Sequence, residues 1–333
     1  MRFRFARTMA WTAGTALTAL ATLAAQGPQG ALETLPVHGQ VSLVATPAGN
    51  SVVQVGPQGV LVVDTLSDAL ADSLVAAVRR LAGNAPIRYI VNTHAHPDSV
   101  GGNVKVSAAG SQLVAGNFAG QVGAGAVEGT VRSAFIVAHE NTLNALSAPT
   151  GGQPAVPFAG WPTETFFQAE KMMYFNGEGI QLVFEPNAHT DGDILVFFRS
   201  SDVIATGDIY STTRFPQIDL ARKGNVSGVI EGLNRIIDLA ISEQFTEGGT
   251  RVVPGHGRIS DEFDVVEYRD MVTIVRDRVQ AMQKKGMTLE QVVAARPALD
   301  WEPLYGTPGT VVTTAAFVES VYRSLAPAPA RVR

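Results

Sequence analysis

The order of segments in this sequence predicts a sandwich of two mixed β-sheets with helices on both outer faces. Strand-like and helix-like stretches alternate in two batches, and each batch opens on strands and closes on helices. Apolar, β-branched runs also end repeatedly on a polar side chain beside Gly, Pro or Asn, as strands do when they leave one edge of a sheet. With 333 residues, 46% hydrophobic and 17% charged, the chain has the apolar content to fill such a core.

The first residues differ from all that follow. "MRFRFAR" places Arg2, Arg4 and Arg7 before a Thr-diluted apolar run, and Ala19-Leu20-Ala21 offers small residues for cleavage. This pattern predicts a signal peptide over residues 1–25, with cleavage between Ala21 and Ala25, and hence a secreted or periplasmic protein without a stable membrane anchor. Removing those three arginines from 25 basic residues leaves 22 against 30 acidic ones, a net charge of −8. No nucleic-acid partner is expected of so acidic a chain, because phosphate binding needs clustered cations. Cysteine is absent, so a metal must be held by His and carboxylate alone.

The remaining segments follow in order. "VSLVATPAGNSVVQVGPQGVLVVDTL" reads as strand-turn-strand, and "SDALADSLVAAVRRLAG" as a helix with Leu70, Leu74, Val75, Val78 and Leu81 on one face. "PIRYIVNT" is a strand. The Gly- and Ala-rich segment 107–130 reads as a loop near the site. "AFIVAHENTLNAL" is a strand entering a helix that Glu140 starts, complementing its dipole, while "FAGWPTETFF" reads as a pocket wall or lid. Strands resume at "GIQLVFEPNAH", "DILVFFRS", "DVIATGD" and "TRVVPGHG". Helices are expected at "VSGVIEGLNRIIDLA" and "FDVVEYRDMVTIVRDRVQAMQKKG", and residues 326–333 form a frayed tail.

Four of the six histidines, His94 with His96, His189 and His256, stand at strand exits, and Asp208 shares that setting. In "VNTHAHPDSVGGN", His94 and His96 project to one side of an extended segment, and Pro97 keeps His96 extended. Asp98 then turns into the same space. Two imidazoles and a carboxylate suit zinc at roughly 2.0–2.2 Å, and a histidine from a distant strand would leave one position open for water. An N-cap role for Asp98 is the plainer alternative. His139 is assigned to hydrogen bonding at a strand end, and His38 to the surface.

In that order, "THAHPD", "AHTDGD", "TGD" and "PGHG" resemble the motifs of the metallo-β-lactamase superfamily of hydrolases, from "NSVVQVG" to the helix after "PGHG", within a hydrolase domain expected over residues 26–325. The resemblance implies a four-layer αββα sandwich with metal at one edge between the sheets. It also implies that His94, His96 and His189 hold a first zinc, that Asp98 and His256 serve a second, and that Asp208 bridges the two. Many relatives carry histidine where this chain has Ser99, so the second ion is expected to bind weakly.

The implied activity is metal-dependent hydrolysis of a small-molecule ester, thioester, lactone or lactam by metal-bound hydroxide, β-lactamase activity included, with Asp98 as the catalytic carboxylate. Tyr210, Arg214, Arg222 and Lys223 are candidate contacts to a substrate anion. The alternatives are a phosphodiesterase or nuclease, or a non-hydrolytic iron-dependent or ligand-binding relative.

Overall fold

The computed structural model describes residues 32–112, 133–150, 153–154, 156–245, 248–306 and 312–325. The predicted leader, the tail and most of the Gly-rich segment lie outside the described residues. The first sheet begins with β1 (Glu33–His38), β2 (Val41–Thr46), β3 (Gly49–Gly56) and β4 (Gly59–Val63) as antiparallel neighbours. It continues with β5 (Ile87–Val91) and β6 (Phe135–His139) in parallel. After a small hairpin of β7 (Pro149–Thr150) and β8 (Gln153–Pro154), β9 (Glu164–Phe166) joins β6 in parallel and completes seven strands. The second sheet runs β10 (Glu170–Phe175), β11 (Glu178–Glu185), β12 (Asp193–Phe198), β13 (Val203–Ala205) and β14 (Arg251–Val253), antiparallel except for the last pair.

Strand alternation sorts side chains into layers. On β4, Leu61 and Val63 face the space between the sheets, where they meet Ile180, Leu182, Val196 and Phe198. Their neighbours Val60 and Val62 face outward onto helix α1 (Ala71–Ala82), which presents Leu74 and Val78. β4 is buried on both faces and therefore reads as an unbroken apolar run. Behind the second sheet, Leu195, Ile204 and Val252 pack against Val229 and Leu233 of a helix over Val226–Leu239 and against Val272 and Val275 of one over Glu262–Lys284. The molecule is thus the four-layer αββα sandwich that the sequence predicts.

Two segments differ from the sequence reading. Part of "FAGWPTETFF" is not a lid: Glu164–Phe166 is the β9 edge strand, hidden in the sequence because only three residues pair. β1 carries Pro36 within an exposed edge strand, and a register shift there disrupts the alternation that signals a strand.

Topology gathers the strand exits. β4, β5 and β6 are parallel, as are β13 and β14, so the segments after them share an edge. The β11–β12 loop returns to that edge because β12 is antiparallel to β13. Ile194 N donates to Thr93 O at 2.9 Å, tying the two sheets there.

Candidate metal centre

After β5 the chain runs extended through His96, where φ is −80° and ψ 153°, and enters a one-turn helix at Pro97–Val100. His96 occupies the cap position and Asp98 the first turn, so Asp98 does not cap that helix. His94 lies in the segment after β5, His189 in the β11–β12 loop, Asp208 after β13 and His256 after β14. Glycine is needed between these ligands. A Cβ on Gly255 would stand 2.3 Å from Asp208 Oδ1, and Gly207, at φ +53°, would place one 2.6 Å from Thr93 Oγ1.

Two adjoining groups result. His94, His96 and His189 each point one ring nitrogen to a common space, and Asp98, Asp208 and His256 do the same with one oxygen or nitrogen each, all within 4.8 Å inside each group. His96 Nδ1 and His189 Nε2 face each other at 2.7 Å. His94 Nε2 is buried without a hydrogen-bond partner. Buried polar atoms are nearly always satisfied, so this orphan nitrogen beside two others fits a metal ligand set. Burial, then the neighbouring His189, pushes the His94 pKa down to about 3, and burial lowers that of His189. Both imidazoles are therefore neutral, as ligation requires.

The opposite ring nitrogens are held from behind. His94 Nδ1 lies 3.0 Å from Thr93 Oγ1, which donates to Asp64 Oδ2 at 2.6 Å, while Thr93 N donates to Asp64 Oδ1 at 2.8 Å. His96 Nε2 meets Asp219 Oδ2 at 2.9 Å, and His189 Nδ1 meets Gln217 O at 2.5 Å. Such partners select the tautomer that leaves the inward nitrogen free. Asp193 accepts from Thr190 N and Thr190 Oγ1, both at 2.7 Å, and so fixes the loop that carries His189.

The second group is held by charge. His256 Nε2 lies 3.3 Å from both Asp98 Oδ2 and Asp208 Oδ1. Burial disfavours the His256 cation, but Asp208 and then Asp98 outweigh it and raise its pKa to about 9. Burial likewise opposes ionisation of Asp208, yet the facing histidines, His256 foremost, hold its pKa well below the usual range. Arg214 Nη2 donates to Asp208 Oδ2 at 2.6 Å. Ser99 is no member of this group: its Oγ lies 3.4 Å from His94 Nδ1, behind that ring.

The other candidates are dispersed. Tyr210 is buried, donates to Ser260 Oγ at 3.1 Å and packs edge-on to Tyr268, so it is a core residue and not a substrate contact. Arg214 is engaged with Asp208, and Lys223 is exposed and pairs with Asp191 at 2.5 Å. Arg222 pairs with Asp219 and lines two clefts. One is a mostly apolar groove of about 490 Å³ whose walls include Ala95, Pro97, Val100, Leu146 and Val156. The other, of about 340 Å³, is bordered by Asn141, Asn144 and Asp191 together with Ala145 and Ala148. His139 stacks flat on Phe184, and its Nδ1 accepts from Asn141 N, capping the helix Glu140–Ser147. Exposed His38 meets Ser201 O through Nδ1 at 2.7 Å.

Asp64, Thr93 and Asp219 were not singled out from sequence. Asp64 had a signal, since "VLVVD" is an apolar run ending on a carboxylate. Asp219 had none: it lies 123 residues from His96 in a loop without periodicity.

The family model for the Metallo-beta-lactamase superfamily matches residues 46–117. None of the curated protein sequences matches this chain. Among solved structures, the chain resembles the stereoselective inverting sec-alkylsulfatase Pisa1 from Pseudomonas sp. at 14% identity and a TM-score of 0.62, over 88% of this chain and 50% of that one. The chain thus spans about half the sulfatase's length. It also resembles a metallo-beta-lactamase from Pontibacter korlensis at 16% identity and a TM-score of 0.51, over 73% of this chain and 99% of that one. The metallo-beta-lactamase DIM-1 gives 16% identity and a TM-score of 0.52, over 73% and 98%. The segment matching the metallo-beta-lactamase superfamily runs through "THAHPD", and the chain shares the fold of these metallo-beta-lactamases, with both ligand groups at one edge of the sandwich.

Proposed function

We propose that the protein is an exported, zinc-dependent hydrolase of small carbonyl compounds: esters, thioesters, lactones or lactams. The observation that carries this reading is the convergence of His94 Nε2, His96 Nδ1 and His189 Nε2, three ring nitrogens with their other ring atoms held from behind. Three imidazoles and an open position form a donor set suited to catalytic zinc. When bound, zinc supplies Lewis acidity and makes water a better nucleophile near neutral pH.

The chain's own residues do the rest. Among the six clustered side chains, Asp98 is the open one, its side chain 36% exposed where Asp208 is 4% exposed. Burial opposes its ionisation, but the hydrogen bond from His256 and the facing histidines His94 and His256 together outweigh that and lower its pKa, so at neutral pH Asp98 is a carboxylate able to accept the proton of an attacking water. His256, fixed between Asp98 and Asp208, sets the direction of that carboxylate. The groove walled by Ala95, Pro97, Val100 and Leu146 adjoins His96 through its two chain neighbours and suits an apolar acyl or alkyl group.

The deciding experiment is a panel of nitrocefin, aryl ester, thioester, lactone, alkyl sulfate and phosphodiester substrates, offered to zinc-loaded protein and to His189→Ala. Turnover of a carbonyl substrate by the wild type alone is expected. Exclusive cleavage of the sulfate or the phosphodiester would move the reaction to that ester class, and no turnover at all would refute the hydrolase reading.

A further inference from the structure

We infer that Arg214 supplies, from the protein itself, the positive charge that a second metal ion would bring, so that the centre works with one ion held by His94, His96 and His189. This rests on the metal-centre reading above.

Arg214 is buried, 7% exposed, and its Nη2 donates to Asp208 Oδ2 at 2.6 Å. Its backbone carbonyl accepts from Tyr268 Oη at 2.9 Å, and Tyr268 lies in the core, so the segment carrying the guanidinium is anchored. Asp208 is the carboxylate between the two ligand groups: Oδ2 stands 3.9 Å from His189 Nε2 and Oδ1 3.3 Å from His256 Nε2. A bridging carboxylate normally shares its charge between two cations. Here one share is taken by a guanidinium that is always protonated and cannot leave without stranding a buried charge.

Two further features act in the same direction. The second group offers only two carboxylates and one imidazole, and Ser99 is turned to the far side of the His94 ring instead of supplying a fourth donor. A divalent ion placed among Asp98, Asp208 and His256 would also stand close to the guanidinium, where like charges oppose each other with little screening. The first ion meets the same cation but is held by three imidazole nitrogens with their supports already in place. Arg214 therefore acts as a positioning residue: it sets the stoichiometry of the centre and the orientation of Asp208 without touching substrate.

Zinc stoichiometry and stepwise affinity test this, read by elemental analysis after gel filtration and by calorimetric titration of metal-free protein. The wild type should retain one equivalent and bind a second at least a hundredfold more weakly. Arg214→Ala should tighten the second step at least tenfold, and Arg214→Lys, which keeps the charge, should stay within a few-fold of wild type. Two equivalents of similar affinity in the wild type would overturn the inference and leave the hydrolase reading standing, and so would an alanine variant whose second step is unchanged. A wild type that binds no metal would instead overturn the reading on which both rest. If Arg214→Ala does not fold, the wild-type stoichiometry and the lysine variant decide.

Discussion

Replacing Asp219 by alanine is expected to weaken first-site zinc binding about a hundredfold while leaving every proposed ligand in place. Asp219 Oδ2 is 2.9 Å from His96 Nε2, and Arg222 Nη1 lies 3.0 Å from the same oxygen. For His96 to present Nδ1 to a metal, its proton must sit on Nε2, and the Asp219 carboxylate favours that tautomer and fixes the ring. A hydrogen bond to a charged group contributes about 1.5–3 kcal/mol, which corresponds to a roughly ten- to hundredfold change in affinity. Asp219 has a second task, since its Oδ1 accepts from Ala221 N at 3.0 Å and Arg222 N at 3.1 Å and caps the short turn there. Asp219→Asn separates the two roles. It keeps an acceptor for the cap and a weaker one for His96, so it should lose only about tenfold in affinity with little change in Tm. Competition against a chromophoric chelator measures the affinities, and thermal unfolding of the metal-free forms checks the cap. An alanine variant that binds zinc as tightly as wild type would refute the claim that Asp219 orients His96.

Thr93→Val removes the hydroxyl between Asp64 and His94 Nδ1; it should cost about 1–3 kcal/mol of stability and roughly tenfold in zinc affinity, read by denaturant titration and chelator competition. Ser99 faces the back of the His94 ring, so Ser99→His should leave the second metal step within a few-fold of wild type; a second step tightened tenfold or more would count against that placement of position 99. Ala145→Trp, at a position bordering both clefts, should raise KM for substrates with long apolar groups more than for acetyl esters, and equal effects would remove the groove from substrate binding. Burial raises the Glu185 pKa to about 7, with Arg235 at 3.5 Å only partly offsetting it. The folded form thus holds a proton that the unfolded form has lost, so stability falls as pH rises from the ordinary glutamate range to about 7. Glu185→Gln should flatten that decline and be about 1–2 kcal/mol more stable at pH 8, measured by urea unfolding.

The layered fold was legible because its signals are local. β4 and β12 are buried runs, and the helix over Ala71–Ala82 shows its apolar face in spacing alone. Its weakest elements, β1 and β9, were hidden by an edge proline and by three-residue length. The six clustered site residues were legible for a related reason: a polar side chain ending an apolar run is visible without knowing the fold. What supports them was not. Asp219 reaches His96 only through the return of a loop, and the ion pair of Arg214 with Asp208 depends on a turn that brings a residue six positions on back to the carboxylate. Tyr210 follows the same apolar run as Asp208 but is buried against Tyr268 in the layer behind the second sheet, a packing that local sequence does not show.

The central claim, that hydrolysis depends on metal held by the three histidines, is tested most directly by titrating zinc into metal-free protein and following the initial rate on its best carbonyl substrate. The rate should be near background without zinc, rise linearly and level off at one equivalent, with His189→Ala flat throughout. A full rate in metal-free protein, or the same titration curve for His189→Ala, would contradict it.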